Sequence, residues 1–331
     1  MGDPPLQPEL FSSGPAAPVD LAARAPELAG LAGALSSRLR LGTSSWSFPG
    51  WEGLVYDRAA RPGVLARHGL AAYARHPLLR AVGVDRSYYE APSRAVFEGY
   101  RRQVPDDFRF MVKADRRLTT PEEPFFLDPQ WARERVLAPA HQGLGETLGV
   151  LLLQFSPLPP ERVGGPRRFA ERLYRFLRDL ASPVPVAVEL RTPALLTPDY
   201  GQALRHGGAV HGYVAHPRML ALDRQQEIVP PRSGEPVLVR WMLAPGASYE
   251  ATREAWAPFD ALRAPDPGTR EVVAGLVRAG LQGGSDVVVI VNNKAEGSSP
   301  LSIEALARHL ASGAGPAPGR PQWEGAEGES G

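Results

Sequence analysis

Residues 186–191 read Val-Ala-Val-Glu-Leu-Arg. Counted with a period of two, Val186, Val188 and Leu190 fall on one face of a predicted strand, and Ala187, Glu189 and Arg191 on the other. A carboxylate and a guanidinium therefore share one face at the strand's C-terminal end. Other apolar stretches end in the same way. Residues 39–43 run into Thr43 and Ser44, 79–85 end on Asp85, 108–113 on Lys113, and 148–154 on Gln154. Residues 236–240 end on Arg240, and 287–292 on Asn292, which is followed by Asn293. With 184–189 and 210–215 these make eight predicted strands. Helical patterns over 64–75, 95–102, 129–141, 167–180, 198–205, 269–280 and 301–310 separate most of them. Short apolar strands alternating with helices predict an α/β architecture with a parallel sheet. The polar strand ends predict a TIM-like (β/α)8 barrel with a polar mouth, the end at which such barrels carry their sites. A doubly wound open sheet is the alternative.

The barrel is expected over residues 38–312 as a single domain. Residues 1–37 read as a flexible extension, with a short Ala/Leu helix over 20–35 capping the barrel's bottom. Residues 313–331 read as a disordered Gly/Pro/Glu tail.

The chain has 331 residues and a net charge of +1, so it lacks the overall basic field that attracts nucleic acid or an anionic membrane. It has no cysteine, which removes disulfides and thiolate metal sites and fits a reducing cytoplasm. The N-terminal residues lack the pattern of a secretory signal, and no apolar run is long enough to span a bilayer. Of 37 basic residues only Lys113 and Lys294 are lysine. Arginine is the default cation here, so a lysine is more informative than usual.

Residues 42–48, Gly-Thr-Ser-Ser-Trp-Ser-Phe, with Trp51, Val55 and Tyr56, resemble the opening motif of the YecE-like family, domain of unknown function 72. Residues 85–93, Asp-Arg-Ser-Tyr-Tyr-Glu-Ala-Pro-Ser, are similar to its second motif. Residues 108–113, 148–154, 186–191 and 291–297 match the later ones in order. The resemblance covers roughly residues 38–312 and implies a TIM-barrel-like fold; the family brings no settled activity with it. The chain departs from the pattern at Ser45, where the family has glycine. On strand 2 it has Gly83 and Asp85 in place of Glu and Asn. After Arg240 it has Trp241 and Met242 in place of a His-Gly pair.

The strand ends supply the candidate chemistry. Lys113, on the face of Arg109 and Met111, is a candidate proton donor or Schiff-base nucleophile, because burial can bring an amine's pKa into working range. Its plain alternative is an ion pair with Glu189. Glu189 and Asp85 are candidate bases. Arg191 and Arg240 are candidate anion ligands, able to grip a carboxylate or phosphate bidentately. Gln154, Asn292 and Asn293 are candidates for orienting a substrate oxygen, and Trp46 and Tyr89 for a stacking wall. Two carboxylates face three cations, and Gly83 leaves a missing negative charge and space beside it. This balance predicts an anionic ligand unless loop acids such as Glu90 and Glu296 close it. On the same count, removing Arg240 should cost little fold stability.

No nucleotide-binding loop and no His-Glu-x-x-His motif is present, and the seven histidines are scattered. No metal and no cofactor are expected. The function expected is a metal-independent acid-base enzyme, or a binder, of a small phosphate- or carboxylate-bearing ligand, in a cytoplasmic monomer without membrane contact. The alternative is a nucleic-acid binding or processing protein that uses the basic, aromatic mouth.

Overall fold

A computed structural model describes residues 18–244 and 246–313. Eight strands follow one another around a closed barrel: β1 (Leu39–Thr43), β2 (Ala81–Val84), β3 (Arg109–Lys113), β4 (Leu148–Gln154), β5 (Val186–Glu189), β6 (Ala209–Ala215), β7 (Val237–Trp241) and β8 (Val287–Val291). Every neighbouring pair is parallel, and β8 pairs back onto β1 from Leu39 opposite Val287 to Thr43 opposite Val291. That closure excludes the open sheet. Strands such as Val-Val-Val-Ile-Val in β8 suit it, since parallel strands here are covered on both faces.

The two faces separate by period two. Ala81, Met111, Val150, Leu152, Ala187, Leu238 and Ile290 pack inside the barrel. Their odd-even partners, among them Val82, Phe110, Val112, Leu151, Val186 and Val188, pack outward into the helix layer. The longest helices of that layer are α7 (Pro166–Leu180), α11 (Pro267–Gln282) and α12 (Ser299–Ala311), the seventh, eleventh and twelfth in chain order. Helix α7 buries Phe169, Leu173, Phe176, Leu177 and Leu180, a three-four stripe worth roughly 1.5–3 kcal/mol per side chain. Proline starts α7 and α11, and Asp266 accepts the Thr269 amide to cap α11.

The predicted strands fall on the observed ones, with shorter β2 and β5. Asp85 already belongs to the turn Asp85–Tyr88, and Pro185 has no amide for the ladder. Two short helices were not predicted, α9 (Leu222–Ile228) and α10 (Tyr249–Trp256). Each has too few apolar residues to show a helical period.

The N-terminal helix is also different from expectation. Two single turns, Ala25–Leu28 and Ala29–Gly33, stand in its place. The residues just before them reach α12 and the loop after β1: Arg24 pairs with Glu304 at 2.6 Å, and the Ala22 amide donates to Val55 at 3.0 Å. Val19, Ala22, Ala25 and Leu28 are buried. Of the flexible segments predicted over 1–37 and 313–331, residues 1–17 and 314–331 lie outside the described residues. Among the described residues no helix is long and apolar enough to cross a membrane.

Candidate functional site

Strand ends β2, β3, β4, β5, β7 and β8 bring Asp85, Lys113, Gln154, Glu189, Arg240 and Asn292 to one end of the barrel, with Arg191 two residues past Glu189. At the centre is a charged fork. Glu189 Oε1 accepts from Arg191 Nε at 2.6 Å, and its Oε2 accepts from Arg240 Nη1 at 2.8 Å. Arg240 Nη1 also lies 3.3 Å from Gln154 Oε1, and its Nη2 is 3.7 Å from Asp85 Oδ1. Glu189 and Arg240 are 0% and 1% exposed. Burial by itself would raise the Glu189 carboxyl; Arg191, then Arg240, overcome it and bring the pKa down to about 2.

Lys113 sits beside this fork without joining it. No carboxylate among the described residues comes within ion-pair distance of its ammonium, so the plain Lys113–Glu189 pair does not form. Its Nζ instead lies 3.6 Å from the centroid of the Tyr88 ring. The loop carrying Tyr88 is pinned over the strand ends. Ser87 Oγ lies 2.5 Å from the carbonyl oxygens of Val84 and Lys113, and Tyr88 Oη is 3.0 Å from Ser156 Oγ. Burial lowers the Lys113 pKa to about 8; Asp85 works against that shift and Arg240 with it.

The second lysine, Lys294, repeats this arrangement. It is buried, with Nζ 4.0 Å from the centroid of Tyr249 and 5.5 Å from that of Phe259. Burial, then the charge of Arg253, lowers its pKa to about 8, and Asp85 acts in the other direction. Asp85 thus stands in the field of Lys113, Arg191, Arg240 and Lys294. It is half-exposed, and its Oδ1 has no hydrogen-bond partner. Lys294 was absent from the candidate set, although the scarcity of lysine pointed to it.

Other candidates are committed to the scaffold. Asn293 Oδ1 accepts from both the amide and the hydroxyl of Ser299 at 2.8 Å, holding the start of α12. Asn292 Nδ2 donates to Ser44 Oγ at 3.2 Å, and its Oδ1 accepts the Lys294 amide at 3.0 Å, so it ties β8 to β1 and orients the lysine loop. Trp46 is buried and donates to the Leu65 carbonyl at 3.1 Å, so it is no wall of the mouth. Tyr89 is 76% exposed, edge-on to Tyr88. Glu296 does not offset the mouth's cations, because it is buried against Arg270 and the Asp266 amide. Gly83 leaves no space: a β-carbon there would come within 3.1 Å of Met111 Cε and of the Ser44 carbonyl. Trp241 packs into the outer core, so the side chain after Arg240 does not reach the mouth.

His216 borders the mouth. Burial, then Arg191, lowers its pKa to about 4. It also lines a cavity of about 480 Å³ with Met219, Leu220, Leu243, Thr269 and Val272. His211 lies on the outer face of β6, within 3.0 Å of Tyr200 Oη and 3.1 Å of Gln225 Oε1, a satisfied core histidine. Among the described residues no group of three or more His, Asp or Glu side chains is placed to share a metal ion.

A family model described as "Protein of unknown function DUF72" matches residues 40–324. Among solved structures, the chain is similar to a DUF72 family protein of Thermotoga maritima MSB8, with 21% identity and a TM-score of 0.56 over 82% of this chain and 98% of that one. It is also similar to a DUF72 family protein of Enterococcus faecalis V583, with 17% identity and a TM-score of 0.50 over 83% and 96% of the two chains. At these identities the likeness concerns the fold. No curated protein matches the chain.

Proposed function

Since the chain belongs to the DUF72 family of proteins of unknown function, we propose its activity from the mouth itself: a small anionic ligand binds beside Asp85, and Lys113 gives or takes a proton there. The observation that carries this reading is Lys113, a buried ammonium with no paired carboxylate at the end of an inward-facing strand. An amine with a pKa of about 8 can both hold and release a proton near neutral pH. Glu189 cannot share that work, because two guanidiniums occupy it; it positions Arg191 and Arg240. Asp85, whose side chain is half-exposed while its buried Oδ1 faces Arg240, is the carboxylate that can reach a ligand.

The charge balance supports an anion. Lys113, Arg191 and Arg240 act on both Glu189 and Asp85, and Lys294 acts on Asp85, one more cation than the strand ends alone supply. A partly buried excess of positive charge is costly until an anion offsets it. The working unit in this reading is a cytoplasmic monomer.

The test is calorimetric titration of the protein with phosphate, sulfate and small sugar phosphates on both sides of pH 8. Binding at pH 7 that weakens as the lysines lose their protons is expected. No measurable binding of any of these anions overturns the reading. A second reading rests on Tyr89 and Tyr249, the large apolar side chains left exposed beside the mouth at 76% and 58%. They could stack bases of a single strand, and salt-dependent oligonucleotide binding that competes with phosphate is the result that would favour it.

A further inference from the structure

We propose that Lys113 is a nucleophile: it forms an imine with the carbonyl carbon of a ligand seated in the mouth, an anionic aldehyde or 2-oxo acid. The ligand's charge rests on the reading above; the imine chemistry does not.

Three observations on the molecule lead there. The chain uses arginine for 35 of its 37 basic residues, and both lysines stand at the barrel mouth, buried under tyrosine rings. If only positive charge were needed, arginine would serve, and it holds anions better. An amine differs in that it can shed its proton and expose a lone pair. Second, Lys113 has no carboxylate in ion-pair contact to fix its proton, and burial favours the neutral form. Third, the group needed to move protons at that nitrogen is present. Asp85 acts on Lys113 more strongly than any other charge, and its side chain is half-exposed at the mouth, with Oδ1 turned to Arg240 at 3.7 Å. Lys294 shares the burial but stands in the loop beyond β8, under Tyr249 and Phe259 and away from the Glu189 fork.

The step balances without any redox partner. The unprotonated Nζ attacks the carbonyl carbon, forming the C–N bond while the π pair moves to oxygen. Asp85 carries a proton from nitrogen to that oxygen, giving a carbinolamine. The nitrogen lone pair then closes C=N as the C–O bond breaks. Asp85 passes the second nitrogen proton to the departing oxygen, which leaves as water. The field of Arg191 and Arg240 holds the anionic group of the ligand during this exchange.

The experiment is reductive trapping on the wild-type protein. It is incubated with borohydride and pyruvate, glyceraldehyde 3-phosphate or neutral glyceraldehyde, then mapped by peptide mass spectrometry. The Lys113 peptide should gain the mass of the probe less one oxygen, with labelling that rises with pH toward about 8. Lys294 and the N-terminal amine are internal comparators, so no variant has to fold. Labelling of either comparator ahead of Lys113 overturns the proposal. So does the absence of any adduct; if phosphate still binds by calorimetry, the anion reading survives that failure. Equal trapping of glyceraldehyde and its 3-phosphate upholds the imine and removes the anion reading instead.

Discussion

The Lys113 ammonium lies 3.6 Å from the centroid of the Tyr88 ring, and that ring takes the place of a counter-ion. A cation–π contact offsets part of the cost of burying the charge, worth about 2 kcal/mol when desolvated, but it fixes no proton. The lysine therefore stays titratable near neutral pH, as a carboxylate partner would not allow. Tyr88 holds this position because Ser87 and Ser156 anchor its loop to the strand ends.

Lys113→Met should make the protein more stable at pH 7. The folded state lowers this pKa from 10.5 to about 8, so it carries the full cost of the charge below pH 8. That cost is roughly 3 kcal/mol. Between pH 8 and 10.5 the unfolded chain binds the extra proton, so wild-type stability rises with pH there. The variant's advantage should shrink over the same window and vanish above it. Thermal melts of both proteins from pH 7 to 11 check this, and a lower melting temperature for the variant at pH 7 contradicts it.

Arg240→Ala should be strongly destabilising, by about 3–5 kcal/mol, because it leaves Glu189 buried with half its compensation. This reverses the small cost expected from the charge count. Adding Glu189→Gln should recover a large part of the loss. Denaturant titrations of the single and double variants measure it, and additive losses in the double variant would show that the two residues are not coupled.

Acid should weaken the same fork. The Glu189 pKa falls from 4.5 in the unfolded chain to about 2 in the fold, so its contribution is complete above pH 4.5. It is lost as pH drops from there through about 2, and amounts to roughly 3 kcal/mol. Wild type should lose stability across that window more steeply than Glu189→Gln, as followed by denaturant midpoints.

Asp85→Asn should tighten sulfate binding about tenfold, since it removes a like charge beside the anion. The same substitution should abolish proton transfer to a carbinolamine and so slow borohydride trapping on Lys113. Unchanged sulfate affinity would place the anion elsewhere.

Gly42→Ala should be far more damaging than Gly83→Ala. A β-carbon on Gly42 would clash with the Ala81 carbonyl, which is strand backbone and cannot give way. On Gly83 it would meet Met111 Cε and the Ser44 carbonyl at 3.1 Å, an overpacking of about 1–3 kcal/mol. Comparison of soluble yield and melting temperature separates the two, and equal losses would contradict the packing described for β1 and β2.

The sequence by itself determined the barrel and the end at which its charges gather. Period-two alternation assigns Ala187, Glu189, Met111 and Lys113 to the inner face because successive side chains of a strand must alternate, whatever surrounds them. It also singled out Lys113 by composition. What it left open depends on distances between residues far apart in the chain. Glu189 and Arg240 are 51 positions apart, and only the closed sheet brings them to 2.8 Å and converts a candidate base into a locked ion-pair partner. The same holds for Lys113, whose neighbour is a tyrosine ring rather than Glu189. It holds also for Trp46, whose indole N–H is spent on the scaffold, and for Asn293, whose Oδ1 is. Lys294 enters the mouth because the loop after β8 folds back under Tyr249. Local pattern fixes which face a side chain takes; which group it meets there is set by how eight strands and their loops close on one another.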